Sequence, residues 1–425
     1  MKITEMRVVP VTMADPPLRS AFGLHAPYAL RTIVQLTTDE GITGLGETYG
    51  GAVPLRDLEA ARARVIGQDP YHLTRIEAAI AGDPTAATSE RYWEAAVGSP
   101  VQTFSPIEVA CYDIIGKATG RPVVDLLGGR YRDAVPFSAY LFYKHAGVGG
   151  TDRLAGASTA ARERDDYLTR EALSPEGIVR QARDFVDRFG FQSIKLKGGV
   201  LPPQEEANTI LALREAFGPD MPLRIDPNCA WSVATSVAIG NELAGTLEYY
   251  EDPTDGKANM AEVAKYVPIP LATNMCTTSW ADIPETVERS SIHILLSDHH
   301  LWGGLSATVK LAQMCRVFGW GVSMHSNSHL GISLMAMAHV AAAIPNLTYA
   351  CDTHYPWQVD EVIVGGKRAF TAGHLTIDDT PGLGVELDED ALARLHEQYL
   401  KVGLTKRDDV AEMQKITPGW TPVRW

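Results

Sequence analysis

Polar residues recur at a regular spacing in the second half of this chain, and that spacing restricts the possible fold. They follow short β-rich runs at intervals of 23 to 29 positions, and they are Lys197, Asp226, Glu251, Asn274, Asp298, His325 and His354. One strand, one helix and their loops occupy about this length in a (β/α) barrel. The carboxyl ends of all barrel strands lie at one end of the fold, so the spacing predicts that these side chains meet there.

Eight β-rich runs alternate with helical runs after residue 130. The predicted strands are Val135–Tyr143, Gln192–Lys197, Leu223–Asp226, Leu247–Glu251, Pro270–Asn274, His293–Asp298, Gly321–His325 and Thr348–Asp352. Such alternation is typical of parallel α/β folds. Eight strand–helix units over about 250 residues are the size of a (β/α)₈ barrel, so the predicted fold class is α/β.

The rest of the chain predicts two further units. A chain of 425 residues is too long for one ordinary core. Residues 1–130 read as an α+β domain, with a strand at Lys2–Met13 and a hairpin whose turn lies at Asp39–Gly41. Residues 131–385 form the predicted barrel, and residues 386–425 form a tail that we expect to return to the first domain.

Charge and cysteine usage exclude several classes of protein. The formal net charge of −14 disfavours binding to nucleic acid or to an anionic membrane. The five cysteines are scattered and form no Cys-x-x-Cys pair, which argues against a disulfide framework or a zinc site and for a reducing, cytoplasmic location. The most apolar run, 331–344, is too short to span a bilayer and reads as a buried helix.

Three oxygen-bearing residues follow three consecutive predicted strands. Asp226, Glu251 and Asn274 could each be a helix cap or a surface residue when taken singly. Together, at matched intervals, they predict a partial shell of oxygen ligands. Such a shell suits Mg²⁺, which keeps open positions for water or substrate oxygens.

Two lysines lie on the same face of one predicted strand. Lys195 and Lys197 alternate with Leu196, so both amines point the same way. The alternative interpretation, which needs no function, is that both lysines are solvated at an exposed strand end. Buried lysines are costly, however, and a neighbouring metal and a second amine should lower the pKa of either lysine toward ~7–8, which suits a general base.

An aspartate and a histidine follow the next two strands. Asp298 can accept a hydrogen bond from one nitrogen of His325, which fixes the tautomer and leaves the other nitrogen free as an acid or base. We expect loop or helix roles for His299, His300 and His329.

This set of side chains predicts removal of a proton next to a carboxylate. Such a proton is very weakly acidic, so its removal needs a base and strong stabilisation of the enediolate. Mg²⁺ and an ammonium group supply that stabilisation in a water-poor site. Lys197 and His325 would then face the carbon from opposite sides, and one of them could protonate a departing β-hydroxyl.

Several motifs of the chain closely resemble the glucarate dehydratase subgroup of the enolase superfamily. The barrel motifs are Lys195-Leu196-Lys197-Gly198-Gly199, Asp226-Pro227-Asn228, Glu251-Asp252-Pro253, Ala272-Thr273-Asn274-Met275, Asp298 with Trp302, and Met324-His325-Ser326-Asn327. The others are His25-Ala26-Pro27, Tyr140-Leu141-Phe142, Asp352-Thr353-His354, Pro381-Gly382-Leu383-Gly384-Val385-Glu386 and Arg407-Asp408-Asp409. They extend over almost the whole chain.

The resemblance implies an α+β capping domain on a modified (β/α)₇β barrel. It implies that Asp226, Glu251 and Asn274 bind Mg²⁺, that Lys197 abstracts the proton, and that Lys195 steadies the enediolate. His325, oriented by Asp298, would be the second acid or base. The positions that match substrate contacts are His25, Tyr140, Asn228, Ser326, Asn327, His354 and Arg407. The expected ligand is a small acid sugar, and the expected product is a 2-keto-3-deoxy acid; we also expect a homo-oligomer.

One motif departs from the family pattern. Glucarate dehydratases carry a Gln-Thr-Phe after a Glu-Arg pair of the capping domain, and its threonine contacts substrate. Here Glu90-Arg91 is followed by Tyr92-Trp93, and Gln102-Thr103-Phe104 lies out of register. The identity of the acid sugar therefore stays open.

There are three alternative functions for this chain. The chain could be a dehydratase or epimerase for another hydroxy acid, such as galactarate. It could be a poorly active paralogue that binds a partner enzyme, although Lys197, Asp298 and His325 are all present. A metal-dependent hydrolase would usually need histidine ligands near the first barrel strand, and Val135–Tyr143 contains no histidine.

Overall fold

The computed structural model describes residues 1–81, 99–150 and 166–425. The departure at Glu90–Trp93 and much of the predicted loop Ala146–Arg170 lie outside these residues. Within the described ranges, no helix is long and apolar enough to cross a membrane.

The first domain is an antiparallel sheet packed against helices. Its strands are β1 (Ile3–Ala14), β2 (Arg19–Ser20), β3 (Gly23–Leu24), β4 (Tyr28–Thr38) and β5 (Thr43–Tyr49). Its helices are α1 (Ala52–Val65), α2 (Leu73–Ala81), α3 (Pro100–Thr119) and α4 (Val123–Leu126). The main sheet has the order β1-β4-β5. Helix α3 lies so close to β5 that a Cβ on Gly44 or Gly46 would come within 2.0 Å of a backbone carbonyl of α3.

The second unit is a curled parallel sheet of seven strands. A short strand, β6 (Ala134–Pro136), precedes it. The seven strands are β7 (Ala139–Phe142), β8 (Ile194–Lys197), β9 (Leu223–Asp226), β10 (Tyr249–Glu251), β11 (Leu271–Thr273), β12 (Ile294–Ser297) and β13 (Gly321–Met324), and they pair in chain order. Residues on both faces of β7 to β12 are buried, as expected for a parallel sheet covered by helices.

The eighth predicted strand, Thr348–Asp352, does not form. This segment instead makes isolated parallel bridges to both edges of the sheet, with Leu347 opposite Val322 and Cys351 opposite Phe137. Its backbone bonds are too scattered for a continuous ladder: the amide of Thr348 bonds to Val322, that of Cys351 to Pro136 and that of Asp352 to Met324. The modified barrel expected from the family resemblance is confirmed, whereas a regular (β/α)₈ barrel is not.

Helices follow the barrel strands. They are α5 (Pro175–Phe189), α6 (Pro203–Phe217), α7 (Val233–Glu242), α8 (Lys257–Ala264), α9 (Ile283–Arg289), α10 (His299–Trp302), α11 (Leu305–Phe318) and α12 (Gly331–Ala343). Ser174 and Ser232 cap the first turns of α5 and α7 through their hydroxyls. Helix α12 is buried, as its apolar sequence predicts.

The C-terminal part of the chain returns to the first domain. Strand β14 (His374–Thr376) pairs with β6, and the helices α13 (Glu389–Val402) and α14 (Asp409–Ile416) follow. His396 and Gln398 of α13 hydrogen-bond to backbone carbonyls of β1 at 2.8 and 3.0 Å. Helix α13 therefore contacts β1, and the division into 1–130, 131–385 and a returning tail at 386–425 remains a prediction.

Buried polar contacts join the first domain to the barrel. Glu47 of β5 binds Arg31 at 2.7 Å and accepts hydrogen bonds from the backbone amides of Leu330 and Ser333. Glu108 of α3 accepts hydrogen bonds from the amides of Leu305 and Ser306 at the start of α11. These contacts hold the first domain over the carboxyl ends of the strands.

Candidate active site

The three predicted oxygen ligands lie side by side at the carboxyl end of the sheet. Asp226 ends β9, Glu251 ends β10, and Asn274 directly follows β11. Because β9, β10 and β11 are neighbours in the sheet, the three side chains face one region. Asp226 and Glu251 have no solvent exposure.

Both lysines point into the same region and are buried. Lys195 has no exposed surface and Lys197 is 8% exposed, which excludes a solvated strand end. Nζ of Lys197 lies 2.6 Å from Oδ2 of Asp226. Nζ of Lys195 lies 2.7 Å from Oε1 of Glu251 and 2.6 Å from Oδ2 of Asp352. The lysines therefore form one ion-pair cluster with the acids.

This cluster suits a divalent cation. Three buried carboxylates, of Asp226, Glu251 and Asp352, surround the two ammonium groups, and the guanidinium of Arg224 lies 3.8 Å from Asp352. Among the described residues, Oδ1 of Asn274 is buried without a hydrogen-bond partner, so it is available to a ligand. Burial and the neighbouring acids Asp226 and Asp352 raise the pKa of Glu251 well above its usual range. A cation here would relieve the repulsion among the acids and give the amide oxygen of Asn274 a partner.

The predicted lowering of the lysine pKa values is not observed. Burial alone would lower them, but Asp226 raises the pKa of Lys197, and Asp352 and Glu251 raise that of Lys195. The physical reason is the direct contact with carboxylates. The prediction depended on a bound cation, whose charge would offset those carboxylates.

The predicted pair of Asp298 and His325 is present. Residues Ser297 and Met324 pair in the sheet, and the two functional residues follow them directly. Nδ1 of His325 lies 3.0 Å from Oδ2 of Asp298. This contact orients the imidazole and leaves Nε2 toward the pocket.

Asp298 has two further partners that the sequence did not suggest. Nδ1 of His300 lies 2.7 Å from its Oδ1, and the hydroxyl of Tyr49 donates to its Oδ2 at 3.0 Å. Burial would raise the pKa of Asp298, but His300 and His325 hold it well below its usual range. His300 lies in the short helix α10, in agreement with the loop or helix role expected for it, and it also contacts Asp298. Tyr49 ends an ordinary strand and belongs to no recognisable motif, so the sequence carried no signal for it.

All seven predicted substrate-contact residues line a single cavity. They are His25, Tyr140, Asn228, Ser326, Asn327, His354 and Arg407, and Lys197, Asn274 and His325 line the same cavity. Lys195, Asp226, Glu251 and Asp298 are not among its lining residues. Asp226 hydrogen-bonds to the lining residues Lys197 and Asn228, and Asp298 hydrogen-bonds to the lining residue His325. Nζ of Lys195 lies 4.7 Å from the centre of the Tyr140 ring, and Glu251 contacts Lys195. The wall is completed by residues that were not predicted as site residues, namely Ser20, Phe22, Tyr49, Phe142, Met275, Leu301 and Asp409.

The side of the cavity formed by the first domain and the tail carries its own charge network. Arg407 binds Asp409 through two parallel contacts of 2.6 Å. Asp15 lies 3.1 Å from Nδ1 of His25 and 3.3 Å from Arg407. Burial and the positive charge of Arg407 lower the pKa of His25, and burial lowers that of His354. On this side the cavity thus offers the neutral imidazole of His25 and the fixed cation of Arg407 to an acidic ligand.

Comparison with known proteins agrees with this geometry. Residues 2–128 match the mandelate racemase / muconate lactonizing enzyme N-terminal domain, and residues 177–391 match the enolase C-terminal domain-like family. A "Probable glucarate dehydratase" of Streptomyces coelicolor is 48% identical, over 100% of this chain and 99% of the relative.

Two solved structures are also similar over the whole chain. An enolase from Thermobispora bispora, complexed with magnesium and formate, has 52% identity and a TM-score of 0.92, with 100% of this chain and 99% of the other covered. An enolase from Mycobacterium smegmatis, complexed with tartrate, has 52% identity and a TM-score of 0.91, with 100% and 98% covered. The chain belongs to the enolase superfamily, within which the similarity to the glucarate dehydratase subgroup is confirmed.

Proposed function

We propose that this protein is a Mg²⁺-dependent acid-sugar dehydratase, a carbon–oxygen lyase. The observation that carries the proposal is the single cavity that brings Lys197, His325 and Asn274 together. Beneath it lie the buried carboxylates of Asp226 and Glu251. Proton abstraction next to a carboxylate requires a base, a second acid or base, and a set of oxygen ligands.

Lys197 is the proposed base for the first step. It would remove the proton from the carbon next to the substrate carboxylate, and Lys195 would steady the resulting enediolate. When bound by Asp226, Glu251 and Asn274, Mg²⁺ would supply positive charge against the negative charge that develops on that carboxylate. The contact of Lys195 with Glu251 and Asp352 fixes its ammonium group in place before substrate arrives.

His325 is the proposed acid for the second step. It would donate a proton to the β-hydroxyl as that group leaves, so that water departs and a keto-deoxy acid remains after tautomerisation. Asp298, held by His300 and Tyr49, keeps the imidazole oriented.

The remaining lining residues would bind the sugar hydroxyls and the distal acid group. Asn228, Ser326 and Asn327 offer neutral donors and acceptors, and Arg407 with His25 offers charge and hydrogen bonds on the opposite wall. D-glucarate is the first substrate to test, because a relative at 48% identity carries the name of probable glucarate dehydratase. Tartrate, a small hydroxy diacid, is present in one similar structure. We further expect a cytoplasmic homo-oligomer.

The test is a screen of an acid-sugar library with Mg²⁺ supplied. Diacids and aldonates are incubated in D₂O, keto-acid formation is measured, and deuterium at the α-carbon is followed by NMR. We expect keto-acid formation from at least one diacid. Deuterium exchange with no dehydration would point to an epimerase instead, and neither signal with any acid sugar would overturn the proposed function.

A further inference from the structure

The three loops that carry the candidate magnesium ligands each contribute a second potential metal ligand. Cys229 lies three positions after Asp226, Asp252 directly follows Glu251, and Cys276 lies two positions after Asn274. One ligand atom from each of Cys229, Asp252 and Cys276 lies within 4.8 Å of the other two. All three residues are buried.

We propose that Cys229, Asp252 and Cys276 form a binding site for a thiophilic divalent cation, of the Zn²⁺ and Cd²⁺ class. Two thiolates and one carboxylate are typical ligands for such ions. Sulfur ligands of one tetrahedral zinc ion lie about 3.8 Å apart, given a Zn–S bond length of about 2.3 Å. Ligand atoms that lie within 4.8 Å of one another can therefore reach a common ion with shifts of about 1 Å or less. The cysteines gave no zinc motif in the sequence because the fold brings them together from separate loops.

The surroundings of the two sulfur atoms are polar and rich in sulfur. Sγ of Cys276 lies 3.7 Å from the carbonyl oxygen of Thr254, and Sγ of Cys229 lies 4.0 Å from Sδ of Met275. A cysteine that only fills apolar space needs no such neighbours. Met275 places a third soft ligand beside the thiol pair.

The backbone at Cys229 also favours a specific role. Its φ of 60° is in the left-handed region, where glycine is the usual residue. The conformation is held by a hydrogen bond of 2.7 Å from the amide of Cys229 to the carbonyl oxygen of Asp252. The chain thus keeps a thiol at a position where a side chain is unfavourable, close to the carboxylate of the proposed site.

The proposed site is coupled to the candidate magnesium site through Asp252. Oδ2 of Asp252 accepts hydrogen bonds from the amides of Asn274 and Met275 at 2.8 and 3.2 Å. A cation that draws on this carboxylate would weaken these bonds and shift Asn274. We therefore expect a thiophilic cation to inhibit the enzyme without occupying the oxygen ligands.

The test is a titration of the whole protein with Cd²⁺ at saturating Mg²⁺ and with a non-thiol reductant present. A thiolate–cadmium charge-transfer band in the ultraviolet should saturate at one Cd²⁺ per chain. Cys229→Ser and Cys276→Ser should each weaken binding at least about 10-fold, because even groups that only orient metal ligands change affinity by ~10–100-fold. Cys315→Ser is the matched control, since Cys315 is a buried cysteine of α11 outside the cluster; it should bind Cd²⁺ as the wild type does.

Three outcomes would overturn the proposed site. One is a charge-transfer band that persists unchanged in both Cys229→Ser and Cys276→Ser. Another is inhibition by Cd²⁺ without any band, which would place the ion on the oxygen ligands. The third is an equal rate of iodoacetamide labelling of both cysteines with and without Cd²⁺. Circular dichroism confirms that each variant is folded, and the band requires no acid-sugar turnover, so this result is independent of the proposed function.

Discussion

The two sides of the pocket are built in different ways. The barrel wall, defined by Lys197, Asn274 and His325, comes from strand ends that the sheet register fixes beside one another. The capping wall, defined by His25, Tyr49 and Arg407, comes from loops, a strand end and the C-terminal tail, which are distant in sequence. A rigid sheet constrains the first wall, whereas the second can change with its loops.

The charged groups of the two walls also differ in their burial and in the segments that supply their partners. Lys197 of the barrel wall and Lys195 beside it are held by the fully buried carboxylates of Asp226, Glu251 and Asp352. The arginine of the capping wall is one-quarter exposed and pairs with acids from two different segments, Asp15 and Asp409. We infer that the barrel wall determines the reaction and the capping wall selects the substrate. This division predicts losses of kcat on one side and changes of KM on the other.

The largest effect should follow removal of a metal ligand. Asp226→Ala deletes a candidate oxygen ligand and also leaves Lys197 and Lys195 with one carboxylate fewer. We expect no Mg²⁺-dependent turnover above background, measured as keto-acid formation. Asp220→Ala, at an exposed loop, is the control. Wild-type turnover that continues in a chelator would show that the metal assignment is wrong.

Loss of either proposed acid or base should give the next largest effect. Lys197→Ala and His325→Ala should each lower kcat by ~10²–10⁴-fold, as is typical for a missing general acid or base. Lys197→Ala should also abolish deuterium exchange at the α-carbon if Lys197 is the base. Exposed Lys265→Ala provides the matched lysine control. Near-normal turnover in either variant would remove that residue from the mechanism.

The barrel wall was predictable from the sequence because spacing alone fixes it. Each functional residue follows a strand, and parallel neighbours must present their carboxyl ends together. Asp226, Glu251 and Asn274 therefore meet without any knowledge of side-chain packing. The raised pKa of Lys197 could not be predicted from spacing. It depends on the 2.6 Å contact between its Nζ and Oδ2 of Asp226, which spacing does not specify.

The capping wall could be predicted only from the family resemblance. His25 and Arg407 are separated by most of the chain, and no periodicity relates them. Tyr49 belongs to none of the motifs that carry the family resemblance. The sequence also did not indicate that Thr348–Asp352 forms no regular strand. Leu347 and Cys351 bridge to opposite edges of the sheet, and this arrangement depends on how the barrel closes.

A smaller and more selective effect should come from Arg407. Arg407→Lys keeps the positive charge but loses the two parallel bonds to Asp409, and a lysine cannot reproduce that planar geometry. Loss of a hydrogen bond to a charged group costs about 1.5–3 kcal/mol, so KM for a diacid should rise ~10–100-fold with little change in kcat. An aldonate, which lacks the distal carboxylate, should be affected less. Equal losses for diacid and aldonate would contradict recognition of a distal acid by this wall.

The smallest effect tests a contact between the two walls, the hydrogen bond from Tyr49 to Asp298. Tyr49→Phe removes the hydroxyl that donates to Asp298 at 3.0 Å but keeps the ring against Arg31 and His300. A hydrogen bond to a charged carboxylate contributes about 1.5–3 kcal/mol, but this one acts on Asp298 and not on the substrate, so kcat should fall less than ~10-fold. Because only the orientation of the catalytic pair changes, KM should stay near the wild-type value. Tyr28→Phe, which changes a buried tyrosine of β4, should leave both kcat and KM unchanged. A Tyr49→Phe enzyme with the wild-type kcat would mean that the capping wall contacts the catalytic pair without tuning it, and the two walls would then act independently.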